Sequence, residues 1–210
     1  MGHLVVVDPD VVEAGNLHRQ VMYGTDWLGR PKAEAAAAIL GRLNPEVAVT
    51  PRVAALDPLT APELVGEADL VLDCADSFAV SYMLSDACRA AGRPLVSASA
   101  LGLGGYAGGF CGGAPSLRAV FPELPEQAAT CATAGILGPV VGMLGCLQAQ
   151  MALSVLLGLA PSPLGQLVTL GPGLGFGGFR FDGAEEPGDP WPFLSVAGIR
   201  PGDFVADLRG

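Results

Sequence analysis

Short apolar runs of β type alternate along this chain with longer helical stretches, and Gly, Pro and acids separate them. Residues 4–8, LVVVD, are apolar without alternation and end in an acid, as expected for a strand covered on both faces. In RPKAEAAAAILGRLNP (30–45), Pro31 suits a first helical position, alanines fill the interior and Asn44-Pro45 stops the helix. VAVTPRVA (47–54) is β-rich, with Pro51 marking an edge or an end. ADLVLDC (68–74) reads as a second buried strand, SFAVSYMLSDACRAAG (77–92) as a helix closed by Gly92, and RPLVSASA (93–100) as a strand again. This alternation predicts an α/β fold, a doubly wound, Rossmann-like and mostly parallel sheet.

Further along, GLGGYAGGFCGG (102–113) interleaves glycine with Tyr106, Phe110 and Cys111, which predicts closely packed strands. No helix opens after it, so it is not a phosphate-cradling glycine loop. PSLRAVFPELPEQAAT (115–130) reads as a mobile crossover loop. Residues 135–160 are long and apolar enough for a membrane span, but Gln148 and Gln150 sit in the middle and no basic residues flank them. A helix buried on all sides is the better expectation. The last third, from 171, is β-like and then a Pro/Gly/acid linker, and 194–210 begins what reads as a new strand.

Charge and cysteine usage narrow the function. A net charge of -10 argues against a phosphate-backbone partner, so no nucleic acid is expected. Five cysteines without C-x-x-C spacing fit a reducing, cytoplasmic setting, and only His3 and His18 are available as imidazoles. In an open α/β sheet, ligands bind beyond the carboxyl ends of the strands, and an acid ending the second strand can hold ribose hydroxyls. Asp8 ends the first strand here, which makes that strand read as the second of a βαβ unit. Its glycine loop and first helix would then precede Met1.

VDPDVVEAGNLHRQ followed by Lys32, then ADLVLDCADSF, then TCATAGILGPVVGMLGCLQAQ together resemble the ThiF/MoeB/HesA family, as an N-terminally truncated member. These are relatives of ubiquitin-activating enzymes that adenylate the C-terminus of a small ubiquitin-like sulfur carrier. The resemblance implies ATP and Mg²⁺, a carrier ending in Gly-Gly, and a homodimer near residues 137–156. It implies that Asp8 holds the ribose, that Asn16 and Arg19 contact phosphates with Gln20 beside them, and that Lys32 lies over the β- and γ-phosphates. Asp76 would hold Mg²⁺, directly or through water. Cys131, in CATAG, would form a sulfur link to the carrier, as in the thiamine branch. Thiamine synthesis is the first expected setting and molybdopterin synthesis the alternative; an inactive fragment that only binds the carrier is the third. Taken singly, Arg19 and Lys32 also read as surface charges, Asp8 as a turn before Pro9, and Asp73 and Asp76 as helix caps. Cys74, Cys88, Cys111 and Cys146 read as packing residues.

Three departures from the family pattern stand out. The glycine loop is not in these 210 residues. Ser77 stands where an asparagine usually follows the magnesium aspartate. The family's two zinc-binding C-x-x-C pairs would fall in 114–123, where Ser116 and Ala119 occupy the places, and in 185–194, which has no cysteine, so no zinc is expected. The domain reading is 1–182 as the adenylating domain, 183–195 as a linker, and 196–210 as a possible start of a rhodanese-like domain, because FVADLRG resembles its first strand.

Overall fold

The computed structural model describes residues 2–123, 135–188 and 191–204. β1 (His3–Val7) runs parallel to β2 (Ala48–Arg52), and α1 (Lys32–Leu43) is the crossover between them. Pro31 is the extended N-cap of α1, so the helix starts one residue later than its composition predicts. Ala33, Ala35 and Ala36 are buried, their small side chains letting α1 lie close to the strands. α2 (Ala61–Gly66), which the sequence pattern did not reveal, leads to β3 (Val71–Asp73). α3 (Phe78–Ala91) then crosses to β4 (Pro94–Leu101), parallel to β3. Gly92 closes α3 in the left-handed conformation, as expected of a C-terminal glycine.

The glycine-rich stretch becomes β5 (Gly104–Cys111), antiparallel to β4, and β6 (Gln166–Leu170) and β7 (Phe176–Arg180) extend the sheet antiparallel in the order β3-β4-β5-β6-β7. A Cβ at Gly109 would meet the Pro163 carbonyl, which explains a glycine inside this strand. The parallel pairs β1–β2 and β3–β4 thus lie in the first hundred residues, in two separate sheets among the described residues, and the antiparallel strands complete the larger one.

This five-stranded sheet lies between two layers. Leu95, Phe110 and Leu167 face Tyr82 and Cys88 of α3 and Leu117 of α4 (Leu117–Val120). On the opposite face, Val96 and Ala107 pack on Met151 and Ala152 of α5 (Gly138–Leu156). Adjacent Leu95 and Val96 point to opposite sides, as the strand repeat demands.

Four sequence expectations need correction. β1 is not covered on both faces: Val5 and Val7 are 39% and 37% exposed, because among the described residues β1 and β2 form a two-stranded sheet of their own. Leu72 of β3 is likewise exposed. α5 is buried on one face only: Val140, Leu144, Gln148, Met151 and Ala152 recur at helical spacing toward the sheet, while Gly142, Gly145, Leu153 and Leu156 are exposed. Within 115–130, residues 117–120 are helical, with Leu117 and Arg118 buried, rather than a loose loop. Lastly, Cys88 and Cys111 are buried as expected, but Cys74, just past β3, and Cys146, on the outer face of α5, are exposed. Residues 196–198 form a short 3-10 turn, and 205–210 lie outside the described residues.

Candidate nucleotide site

Two loops at the carboxyl ends of parallel strands carry the expected residues. The loop after β1 is closed by its own backbone: Val12 N donates to Arg30 O (2.8 Å), Gly29 N to Val12 O (2.9 Å) and Lys32 N to Asp10 O (2.8 Å). Asp8 Oδ1 accepts from Asp10 N at 2.8 Å, so the simple turn role is realised by one of its oxygens. The second oxygen has no protein partner among the described residues. Residues 14–20 are a run of turns in which Arg19 N and Gln20 N both donate to Asn16 O. Arg19 Nη1 reaches Gly15 O at 3.3 Å, which leaves most of the guanidinium fork open. Gln20 Oε1 is buried without a hydrogen-bond donor among the described residues, an orphan acceptor that a bound hydroxyl or water would satisfy.

Lys32 is not a free surface charge. Its side chain is 9% exposed and Nζ lies 2.9 Å from Asp10 Oδ2, whose own side chain is 65% exposed. Tyr23 donates its hydroxyl to Lys32 O at 3.1 Å, and its pKa is raised by burial and, secondarily, by the charge of Asp8. Asp8, Asp10, Tyr23 and Lys32 therefore form one polar group. The sequence reading missed Asp10 and Tyr23; the second acid of D-x-D was the available signal for Asp10, but nothing local pointed to its pairing with Lys32, 22 residues further on.

The loop after β3 is built from behind. Asp73 is 1% exposed; Oδ1 accepts from Ala75 N (3.1 Å) and Oδ2 from Ser97 Oγ (2.7 Å). Burial raises its pKa above the usual carboxylate value, and the hydrogen bonds from Ser97, Ser81 and Ala75 oppose that rise. Gln148 of α5 donates through Nε2 to Asp73 O (2.7 Å) and Val96 O (2.9 Å), and its Oε1 accepts from Cys74 Sγ (3.4 Å). The Cys74 thiol is pushed up to about 11, chiefly by burial and then by Asp73, so it is a poor nucleophile although the residue as a whole is exposed. Neither aspartate caps α3: its N-cap is Ser77, without a side-chain hydrogen bond. Asp76 is exposed and its carboxylate has no protein partner among the described residues. The capping alternative for it is thereby removed.

α5 touches both loops. A Cβ at Gly138 would collide with the His18 carbonyl, so glycine is required where the helix start meets the Arg19 loop, and Gln148 binds the Asp73 loop farther along. Cys131 lies outside the described residues. No group of three or more His, Cys, Asp or Glu side chains converges among the described residues. Mg²⁺ does not require one, since it is commonly held by one or two carboxylates together with substrate phosphates. Asp76 fits that donor set.

The fold and these two loops define a Rossmann-like α/β protein with an acidic and basic site at the strand ends. The ThiF family matches residues 1–173, and the chain belongs to it. It is 49% identical over 171 residues to the adenylyltransferase and sulfurtransferase MOCS3 of Bos taurus, covering 80% of this chain and 38% of that protein. The SAMP-activating enzyme E1 of Haloferax volcanii is 45% identical, over 75% of this chain and 59% of that protein. Molybdopterin-synthase adenylyltransferase of Escherichia coli is 39% identical, over 80% of this chain and 68% of that protein. A crystal structure of Escherichia coli MccB with ATP superposes with a TM-score of 0.73 over 86% of this chain and 56% of MccB. At 19% identity that likeness shows the fold alone.

Proposed function

We propose that the chain is the larger part of an adenylating module that activates the C-terminal glycine of a ubiquitin-like sulfur carrier with ATP. The observation that carries this reading is Asp76: an exposed carboxylate without a protein partner among the described residues, on the loop after β3 that buried groups hold from behind. Asp8 and the orphan Gln20 Oε1 supply acceptors for ribose hydroxyls, and Asn16, Arg19 and Lys32 supply donors for phosphates. Asp76 would hold Mg²⁺, which offsets phosphate charge when bound.

In the reaction, a carrier carboxylate oxygen bonds to the α-phosphorus of ATP and the bond to the bridging oxygen breaks. Pyrophosphate leaves with the electron pair, and an acyl-adenylate remains. The nucleophile is already charged, so no general base is needed. Fixed positive charge over the phosphates and correct placement supply the acceleration. Lys32 must exchange its bond with Asp10 for one with phosphate, and Asp10 stays solvated when it does so.

The relatives' names favour a carrier of the molybdopterin type over the thiamine type first expected. A homodimer through α5 is supported by the open face of Gly142, Gly145, Leu153 and Leu156. Cys131 keeps its implied sulfur-link role within this reading, to be tested by Cys131→Ser. The primary experiment is Mg²⁺-dependent ATP–pyrophosphate exchange with carriers of both types ending in Gly-Gly. Exchange is expected with at least one carrier and is expected to vanish in Asp76→Ala. Undiminished exchange in that variant would remove Asp76 from the reading.

A further inference from the structure

The two places where the family resemblance implies zinc-binding cysteine pairs lie in segments that touch each other here. Ser116 and Ala119 flank and enter α4, and Glu186 and Phe193 of the second segment contact Ser116 and Arg118 there. A hydroxyl and a methyl do not supply the thiolate or imidazole ligands of a structural zinc. What joins the segments is a set of polar and aromatic contacts. Glu186 Oε1 accepts from Ser116 N (2.7 Å), Oε2 accepts from Ser116 Oγ (2.6 Å), and Arg89 Nη1 lies 3.4 Å from Oε2. Ser116 is 1% exposed, so this is a charge-assisted pair at a buried helix start rather than a surface contact.

A second layer lies beside it. The Arg118 guanidinium is stacked between Tyr82 (4.9 Å) and Phe193 (5.7 Å) and makes two hydrogen bonds to Asp86 (2.7 and 2.9 Å). Ala184 and Phe193 pack on the core cluster that contains Leu117, and Ser195 is buried. Tyr82 in turn donates its hydroxyl to Phe121 O (2.6 Å) and Glu123 O (3.3 Å).

We propose that Glu186, Ser116 and the Phe193–Arg118–Tyr82 stack form a metal-free clasp in place of the family's zinc site. The clasp pins the segment after β7 to α3 and α4, and through Tyr82 it fixes the carbonyls of Phe121 and Glu123, from which the chain continues toward Cys131. The Glu186 bonds are the lock, because among the described residues they tie the returning segment to the backbone at the N-cap of α4. This arrangement is independent of which carrier is activated.

The test uses the full chain. Zinc content is measured by elemental analysis, and backbone hydrogen exchange is followed at 116–119 and 184–186 with and without a zinc chelator. Substoichiometric zinc and chelator-independent protection are expected; about one zinc per chain, or protection lost to the chelator, overturns the metal-free assignment. Glu186→Ala is expected to speed exchange about tenfold or more at both stretches, with α1 unchanged. Unchanged exchange at 116–119 overturns the clasp. If Glu186→Ala speeds exchange throughout the chain, Glu186→Gln decides: faster exchange confined to the two stretches supports the clasp, and unchanged exchange in both overturns it.

Discussion

The loop after β1 and the loop after β3, the two edges of the proposed nucleotide site, are held in opposite ways. The first is a surface chain of turns in which Lys32 is engaged with Asp10 and one oxygen of Asp8 with its own turn, while most of the Arg19 guanidinium stays open. The second leaves the Asp76 carboxylate without a partner among the described residues, while Asp73, Ser97 and Gln148 behind it are buried and hydrogen-bonded. One loop can rearrange at modest cost because its bonds are half-solvated. The other is fixed before any ligand arrives, and burying an unpaired polar group would be the penalty for disturbing it. Under the proposed function, one adaptable and one rigid edge would let phosphates reorganise the cations while Asp76 keeps its place.

Substitutions should separate the two edges. Gln148→Leu strips the Asp73 and Val96 carbonyls of their donor and should destabilise the chain by about 3 kcal/mol in urea unfolding, the cost of leaving buried acceptors unmet. A loss under a third of that would mean the rigid edge is not held by this residue. Gly138→Ala forces the helix start away from the His18 carbonyl and should cost about 1–3 kcal/mol, as overpacking does. Lys32→Gln, on the adaptable edge, should shift stability by only about 1 kcal/mol, since its partner is mostly solvated. It should nonetheless weaken Mg-nucleotide binding about tenfold, read by calorimetry, because one charge-assisted bond to phosphate is lost. Equal effects on stability and binding would erase the contrast.

The smallest effect concerns pH. Burial raises the Asp73 pKa above its ordinary 3.8, so the folded state binds a proton more tightly than the unfolded one. Its contribution is fully present below pH 3.8 and is lost as pH rises through the folded value. Asp73→Asn keeps an acceptor for Ala75 N and should flatten that decline in stability-versus-pH curves. An unchanged slope would show that Asp73 is not its source.

Much of the parallel sheet was legible because its strands are apolar runs and its helices carry their own stops, Asn44-Pro45 and Gly92. The residues after β1 and β3 were legible by resemblance, since their spacing is a string rather than a shape. What escaped is set by tertiary contact. Lys32 finds Asp10 across a closed loop, and no local pattern announces the pair. Gln148 read as a mark against a membrane span, whereas it is the polar group that fastens α5 to two strands. The stretch after Phe181 is rich in Pro, Gly and acid and reads as linker, yet Ala184, Glu186 and Phe193 dock on the core. Composition gives the solubility of such a segment and not its destination.

α5 is a ruler as well as a wall. Gly138 meets one loop and Gln148 the other, ten residues apart in a single helix, or about 15 Å at the usual rise. The spacing of the two edges is therefore written in a count of residues. One residue inserted between Pro139 and Leu147 would swing Gln148 roughly 100° around the helix axis relative to Gly138. Length, more than chemistry, is the quantity this segment has to conserve.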